Sequence, residues 1–281
     1  MSTRVGFIGL GSQGAPIARR IAGAGLPLTL WARRPESLEP FAGVKTAATP
    51  TGLAAESDVI GICVTGDADV EQVVSGPDGL LAGVAPGTVI VVHSTVHPDT
   101  CRRLAALAAD KDAHLIDAPV SGGAPAADAG KLLVMAGGDE SVVEKVRPVL
   151  STFGDPVVHL GPLGAGLVTK LLNNTVFTAH LAVASSLYSL GQSFGIAPDR
   201  LGEVLGHGSG RSFALDALAH SGGTPERIGQ HAGPLLRKDV ALTADVAAAA
   251  GVEPGFILDV ADHLLGEIGQ ARDGATDTTG R

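Results

Sequence analysis

"RVGFIGLGSQGAPIARRIAGAG", residues 4–25, sets an apolar run of strand character directly before three glycines, then a segment whose apolar residues recur at helical spacing. Gly9, Gly11 and Gly14 stand in the order G-x-G-x-x-G. In a turn that wraps a pyrophosphate each has its own task. The first allows the sharp bend, the second lets the anion approach bare backbone, and the third lets helix and strand pack closely. The helix N-terminus then faces the phosphates with its unpaired N–H groups. An ordinary glycine-rich turn can carry the same letters, but the strand before and the helix after favour the dinucleotide reading. Gly9, Leu10, Gly11, Ser12, Gln13 and Gly14 are the candidate cofactor loop.

Working outward, β-rich runs alternate with helical ones up to about residue 160. The strand candidates are "RVGFIGL", "LPLTLWA", "DVIGICV", "TVIVVHS", "HLIDAPV", "LLVMAGG" and "PVVHL". Between them lie "GAPIARRIAGAG", "PTGLAAES", "DVEQVVSG", "DTCRRLAALAADK" and "ESVVEKVRPVLSTFG". Such alternation predicts one mainly parallel sheet with helices on both faces. After "GPLGAG", residues 161–166, no strand pattern returns. Ala/Leu-rich segments follow at 165–194, 198–206, 211–220, 235–250 and 254–269, cut by Gly and Pro. The expected fold is an α/β Rossmann-type dinucleotide-binding domain over 1–162, then an all-α domain over 163–281, joined by a long helix. The polar tail "ARDGATDTTGR", 271–281, is expected to fray.

Composition narrows the function classes. Of 281 residues, 45% are hydrophobic and 17% charged, which supports a sizeable core and argues against disorder. The net charge of −9, with no Lys/Arg run, argues against nucleic acid as a partner. Residues 171–190 carry no formal charge, yet their Asn, Thr, Ser and His would be costly in lipid, so a buried helix is expected rather than a membrane span. The N-terminus lacks the pattern of a signal peptide. Cys63 and Cys101 read as reduced thiols of a cytoplasmic protein. His93 and His97 are four apart but sit at a strand end beside a proline, without the clustering a metal site needs; no metal is expected.

The second strand should decide which dinucleotide binds. An NAD site places an acid at its end, on the ribose 2′-hydroxyl. Here the strand ends in Ala32, Arg33 and Arg34. Two guanidiniums suit a 2′-phosphate, so NADP is the expected cofactor, with NAD as the lesser choice; a solvated basic pair is the plain alternative. Val64 and Thr65, and Ser94 and Thr95, end later strands and should face the same ligand. Ser94 and Thr95 also suit capping of the helix "PDTCRRL".

In "GAGLVTKLLNNTVFTAHLAVASSL" Lys170 is the sole cation, and Asn174 shares its face four residues on. By residue physics alone, a surface lysine with its head in water and a functional lysine weigh about equally.

Four ordered motifs carry a resemblance: "GFIGLGSQGAPIARRI", "DAPVSGG" at 117–123, "GLVTKLLNN" and "LLRKDVALT". The chain resembles the β-hydroxyacid dehydrogenases, the family of 3-hydroxyisobutyrate dehydrogenases and semialdehyde reductases, over nearly its whole length. The resemblance implies that Lys170 is catalytic, that Asn174 helps hold substrate, and that Ser121, Gly122 and Gly123 bind its carboxylate. It also implies that Thr95 and Lys238 lie at the nicotinamide end of the cofactor site, and that the assembly is a dimer or tetramer. Physically, two adjacent glycines after a strand expose N–H groups that can form an anion nest, with Asp117 orienting the loop. A small 3-hydroxy acid or semialdehyde is the implied substrate. Lys170 would act as acid/base or as a fixed ammonium.

Gln13, where many members have Met, and Ala32, where many have Asn, depart from the family pattern. An imine reductase shares the implied architecture but usually replaces the lysine; a non-catalytic NADP-binding protein is the other rival. Arg211, Phe213 and His231 are candidates for shaping the substrate pocket.

Overall fold

A computed structural model describes residues 2–275. The chain forms two compact units, Met1–Lys170 and Leu171–Arg281. The first holds six parallel strands: β1 (Val5–Ile8), β2 (Leu28–Trp31), β3 (Lys45–Thr46), β4 (Val59–Ile62), β5 (Val89–Val92) and β6 (His114–Asp117). Their order across the sheet is β3-β2-β1-β4-β5-β6. The order reverses direction at β1, with β2 on one side and β4 on the other, and ligands of open α/β sheets bind at such a point.

Alternation along the strands builds two cores. Phe7, Leu30, Val59, Val91 and Ile116 point into one, against Ile17 and Ile21 of α1 (Gly14–Gly23). Ile8, Ile60, Ile62, Ile90 and Val92 point into the other, against α2 (Pro50–Ala55), α3 (Asp67–Ser75) and α4 (Pro98–Ala109). Burial on both faces is why these strands read as continuous apolar runs.

The expectation of a single sheet needs correction. "HLIDAPV" breaks after Asp117, and β7 (Val120–Ser121) joins β8 (Leu132–Ala136) and β9 (Gly154–His159) in a second, three-stranded sheet. β7 runs antiparallel to β8, and β9 runs parallel to it. Pro119 cannot donate to a ladder and marks the break. Two helices flank this sheet, α5 (Gly123–Asp128) and α6 (Glu140–Leu150). The sequence patterns had not suggested α5 or the two-residue β3.

The second unit is helical. α7 (Ala165–Ser193) runs into it from the first unit and is followed by α8 (Pro198–His207), α9 (Phe213–His220), α10 (Glu226–Ala249) and α11 (Phe256–Glu267). α10 begins nine residues before its expected start at 235 and passes through Pro234. α7 is buried on one side only: Leu172, Val176, Val183 and Leu190 are exposed, contrary to the expectation of a buried helix. Among the described residues no helix is long and apolar enough to cross a membrane. The first part of the tail is anchored, not frayed, because Arg272 grips buried Asp262 through two hydrogen bonds of 2.7 Å. Residues 276–281 lie outside the described residues.

Candidate functional site

The glycine loop links β1 to α1, and its three glycines divide their tasks sharply. Gly9 has φ +94°, and a Cβ there would stand 2.0 Å from Cys63 O. A Cβ on Gly14 would stand 1.8 Å from Gly9 O. Both glycines are required by the fold itself. Gly11 is exposed, and a Cβ there would meet no protein atom within 4 Å. The fold does not require this glycine, so the clearance it leaves suits a ligand approaching the backbone. Ser12 is exposed, Leu10 packs on the first core, and the Gln13 amide nitrogen is enclosed without a hydrogen-bond partner.

Beside this loop, the ends of β4 and β5 are tied together. Ser94 Oγ accepts the N–H of Val64 at 2.8 Å. Ser94 therefore does not cap α4; His97 does, its Nδ1 accepting from Asp99 N at 3.1 Å. Thr65 is exposed and Thr95 half-buried. Arg33, at the end of β2, donates to Asp69 of α3 at 2.9 Å, and Arg34 lies 3.8 Å from Glu36. The other histidine of this pair, His93, is buried. It donates Nδ1 to Ala118 O at 2.8 Å, stacks on Phe7, and is pushed down to about 4 by burial. His93 and His97 are thus occupied structurally, and no group of three metal-ligating side chains occurs among the described residues. Cys63 and Cys101 are free thiols; burial raises that of Cys101.

Ser121 ends β7, and Gly122 and Gly123 follow with φ +128° and +70°. Side chains are strained at both angles. Both glycines are exposed after the strand, and successive positive-φ residues are a backbone arrangement that suits an anion. Asp117 does not orient this loop through its side chain, as expected from sequence. It is fully buried and accepts the N–H groups of Gly164 at 2.6 Å and Leu167 at 2.7 Å, at the start of α7. Desolvation lifts this carboxyl to about 6, while its backbone donors oppose the shift.

Lys170 is half-buried on α7, one turn before Asn174. Asn174 Nδ2 donates to Asp239 Oδ2 of α10 at 2.6 Å, and its Oδ1 accepts from Asn173 at 3.0 Å. Lys238 Nζ lies 2.9 Å from Asp239 Oδ1, an ion pair not aligned as a hydrogen bond. Sequence reasoning missed Asp239; its place in "LLRKDVALT", directly after Lys238, was the available signal. Of the proposed pocket residues, Arg211 and His231 are exposed, and Phe213, 74% exposed, tilts against Phe177 at 5.8 Å.

Comparison with known proteins places this arrangement. Residues 4–161 match the NAD binding domain of 6-phosphogluconate dehydrogenase. Residues 164–280 match the family described as NAD-binding of NADP-dependent 3-hydroxyisobutyrate dehydrogenase. The 2-(hydroxymethyl)glutarate dehydrogenase of Eubacterium barkeri is 36% identical over 77% of this chain and 72% of its own. The NAD-dependent L-serine dehydrogenase of Pseudomonas aeruginosa is 32% identical over 88% of this chain and 86% of its own. The structure of Mycobacterium tuberculosis 3-hydroxyisobutyrate dehydrogenase with L-serine superposes with a TM-score of 0.83 at 28% identity, covering 97% of this chain and 96% of that one. By its fold, its glycine loop and these matches along both units, the chain belongs to the β-hydroxyacid dehydrogenase family of oxidoreductases.

Proposed function

We propose that this chain catalyses reversible hydride transfer between a nicotinamide cofactor and a small 3-hydroxy acid or its semialdehyde, of the 3-hydroxyisobutyrate kind. In this reading residues 1–162 bind the cofactor, and residues 163–281 complete the substrate site and form the dimer. One observation carries it: half-buried Lys170 stands one turn into a helix seated on the end of β6, the strand that leads to Ser121, Gly122 and Gly123.

The bare backbone at Gly11 fits a pyrophosphate, and Gly9, Leu10, Ser12, Gln13 and Gly14 complete the cradle, with Val64, Thr65, Thr95 and Lys238 lining the rest. The bound nicotinamide supplies a hydride acceptor, or a donor when reduced. The N–H groups after Ser121 and its hydroxyl hold the substrate carboxylate. Asn174, its amide fixed by Asp239, orients the substrate's oxygen. Lys170 takes the hydroxyl proton during oxidation and returns it during reduction; as an ammonium it also draws electron density toward the carbonyl oxygen.

NADP is the preferred cofactor in this reading. The Arg33–Asp69 pair is exposed, with Arg33 at 77%, so it holds the guanidinium by less than about 1 kcal/mol and a 2′-phosphate can recruit it. The descriptions of relatives divide on this point, naming both NAD and NADP.

The exposed stripe Leu172, Val176, Val183 and Leu190, spaced by four and seven residues, supports a homodimer or homotetramer in which a second copy covers α7. Two free thiols accord with a cytoplasmic setting.

A spectrophotometric screen of small hydroxy acids and semialdehydes with NADP(H) and NAD(H), with a cyclic imine as a further arm, tests the reading. Turnover of a 3-hydroxy acid, lost in Lys170→Ala with cofactor binding retained, is the expected result. Reduction of the imine alone, or binding without turnover of anything, would overturn it.

A further inference from the structure

We propose that Asp117 is the positioning residue of this site: its carboxylate ties the strand entering the Ser121–Gly123 loop to the first turn of the helix that carries Lys170. The proposal rests on the roles given to Lys170 and to that loop above.

The main chain of Asp117 is fixed first. Its N–H donates to Gly137 O at 3.1 Å and its carbonyl accepts from Gly137 N at 2.7 Å, at the seam where β6 ends and the second sheet begins. The side chain, fully buried, then accepts from Gly164 and Leu167 at 2.6 and 2.7 Å. The first N–H groups of a helix have no partner within it, and here a charged acceptor supplies one. Neighbouring glycines make the space. A Cβ on Gly137 would stand 2.6 Å from Asp117 Oδ1, and one on Gly166 would stand 2.8 Å from Oδ2. Leu167, fully buried in the second core, pins the same turn from its apolar side.

Two functional parts therefore share one anchor. Ser121 lies four residues beyond Asp117 along the chain. Lys170 lies four residues beyond Gly166, on its helical face and about 6 Å along the axis. A helix start tethered through one carboxylate sets where Lys170 stands relative to the loop. Misplacement of a reacting group by about 1 Å can cost on the order of 100-fold in rate. An exposed hydroxyl would cap a helix at lower desolvation cost, whereas this carboxyl is buried and lifted to about 6.

The test is Asp117→Asn, which keeps the shape but turns an N–H₂ toward one of the two backbone donors. Lysines are reductively methylated with carbon-13 formaldehyde and a borohydride donor, and the Lys170 resonance is assigned with Lys170→Arg. The expected result is a shifted Lys170 resonance with those of Lys45 and Lys131 unmoved. Turnover of 3-hydroxyisobutyrate or L-serine should fall about 100-fold in kcat, with KM and NADP+ affinity within a few-fold. An unmoved resonance with unchanged kcat overturns the proposal. Should the variant fail to fold, amide exchange in the wild-type protein decides: strong protection at Gly164 and Leu167 supports the clamp, and rapid exchange there refutes it. Wild-type turnover in Lys170→Ala with a shifted resonance in Asp117→Asn would defeat the reading of Lys170 and leave the positioning intact. An inactive Lys170→Ala beside an unaffected Asp117→Asn would defeat the positioning alone.

Discussion

Asn174 Nδ2 meets Asp239 Oδ2 at 2.6 Å across 65 residues of chain, the shortest polar link from α7 to α10 among the bonds described here. Thr175, the next residue on α7, and Thr243, about one turn further along α10, share a second bond of 2.8 Å. A partly buried amide held by a carboxylate is worth about 1.5–3 kcal/mol, more than a neutral pair. Asn174→Ala and Asp239→Ala should therefore be non-additive in denaturant unfolding, with a coupling energy of about 1–2 kcal/mol. Additive losses would show that the bond carries nothing.

The glycine loop separates fold from ligand. Gly11→Ala adds a methyl that meets no protein atom within 4 Å, so its melting temperature should match the wild type. On the proposed reading of this turn as the pyrophosphate cradle, its affinity for NADP+ should nevertheless fall by about tenfold or more. Gly14→Ala drives a methyl to 1.8 Å from Gly9 O and should be destabilised before any ligand is added. Calorimetry with and without cofactor reads both; a Gly11→Ala variant with unchanged affinity would remove the assignment of this turn.

Acid stability depends on two buried groups that pull in opposite directions. His93 is depressed from 6.5 to about 4, so the unfolded chain takes its proton first and stability is lost as pH falls through that window. Asp117 is raised from 3.8 to about 6, so the folded chain takes its proton first and stability is lost as pH rises through that window. The wild-type protein's stability advantage over His93→Gln should shrink by about 3 kcal/mol between pH 7 and pH 4. Urea midpoints across that range measure it, and a constant difference would contradict the buried, neutral imidazole.

Arg272 and Asp262 form a nearly buried, two-pronged pair, with side-chain exposures of 14% and 2%. Removing one partner leaves a charge without compensation, which typically costs about 3–5 kcal/mol. Arg272→Ala should be destabilised on that scale, whereas Arg200→Ala, which breaks the exposed pair with Glu203, should change stability by less than about 1 kcal/mol. Equal effects on thermal unfolding would refute the distinction.

Much was determined by the sequence itself: the strand–loop–helix start, the alternation of strand and helix, the change to an all-helical half, and the helix bearing Lys170. These are local signals, because glycine spacing and the periods of 2 and 3.6 residues act over a few neighbours. Only the tertiary structure decided that "HLIDAPV" divides between two sheets, that Ser94 serves Val64 rather than a helix end, that Arg33 meets Asp69, and that Asp117 caps α7. The partners in those contacts are 30, 36 and 50 residues apart. No periodicity joins residues so distant; they meet because both cores must close over the parallel sheet, and that closure brings strand ends and helix starts to the same edge.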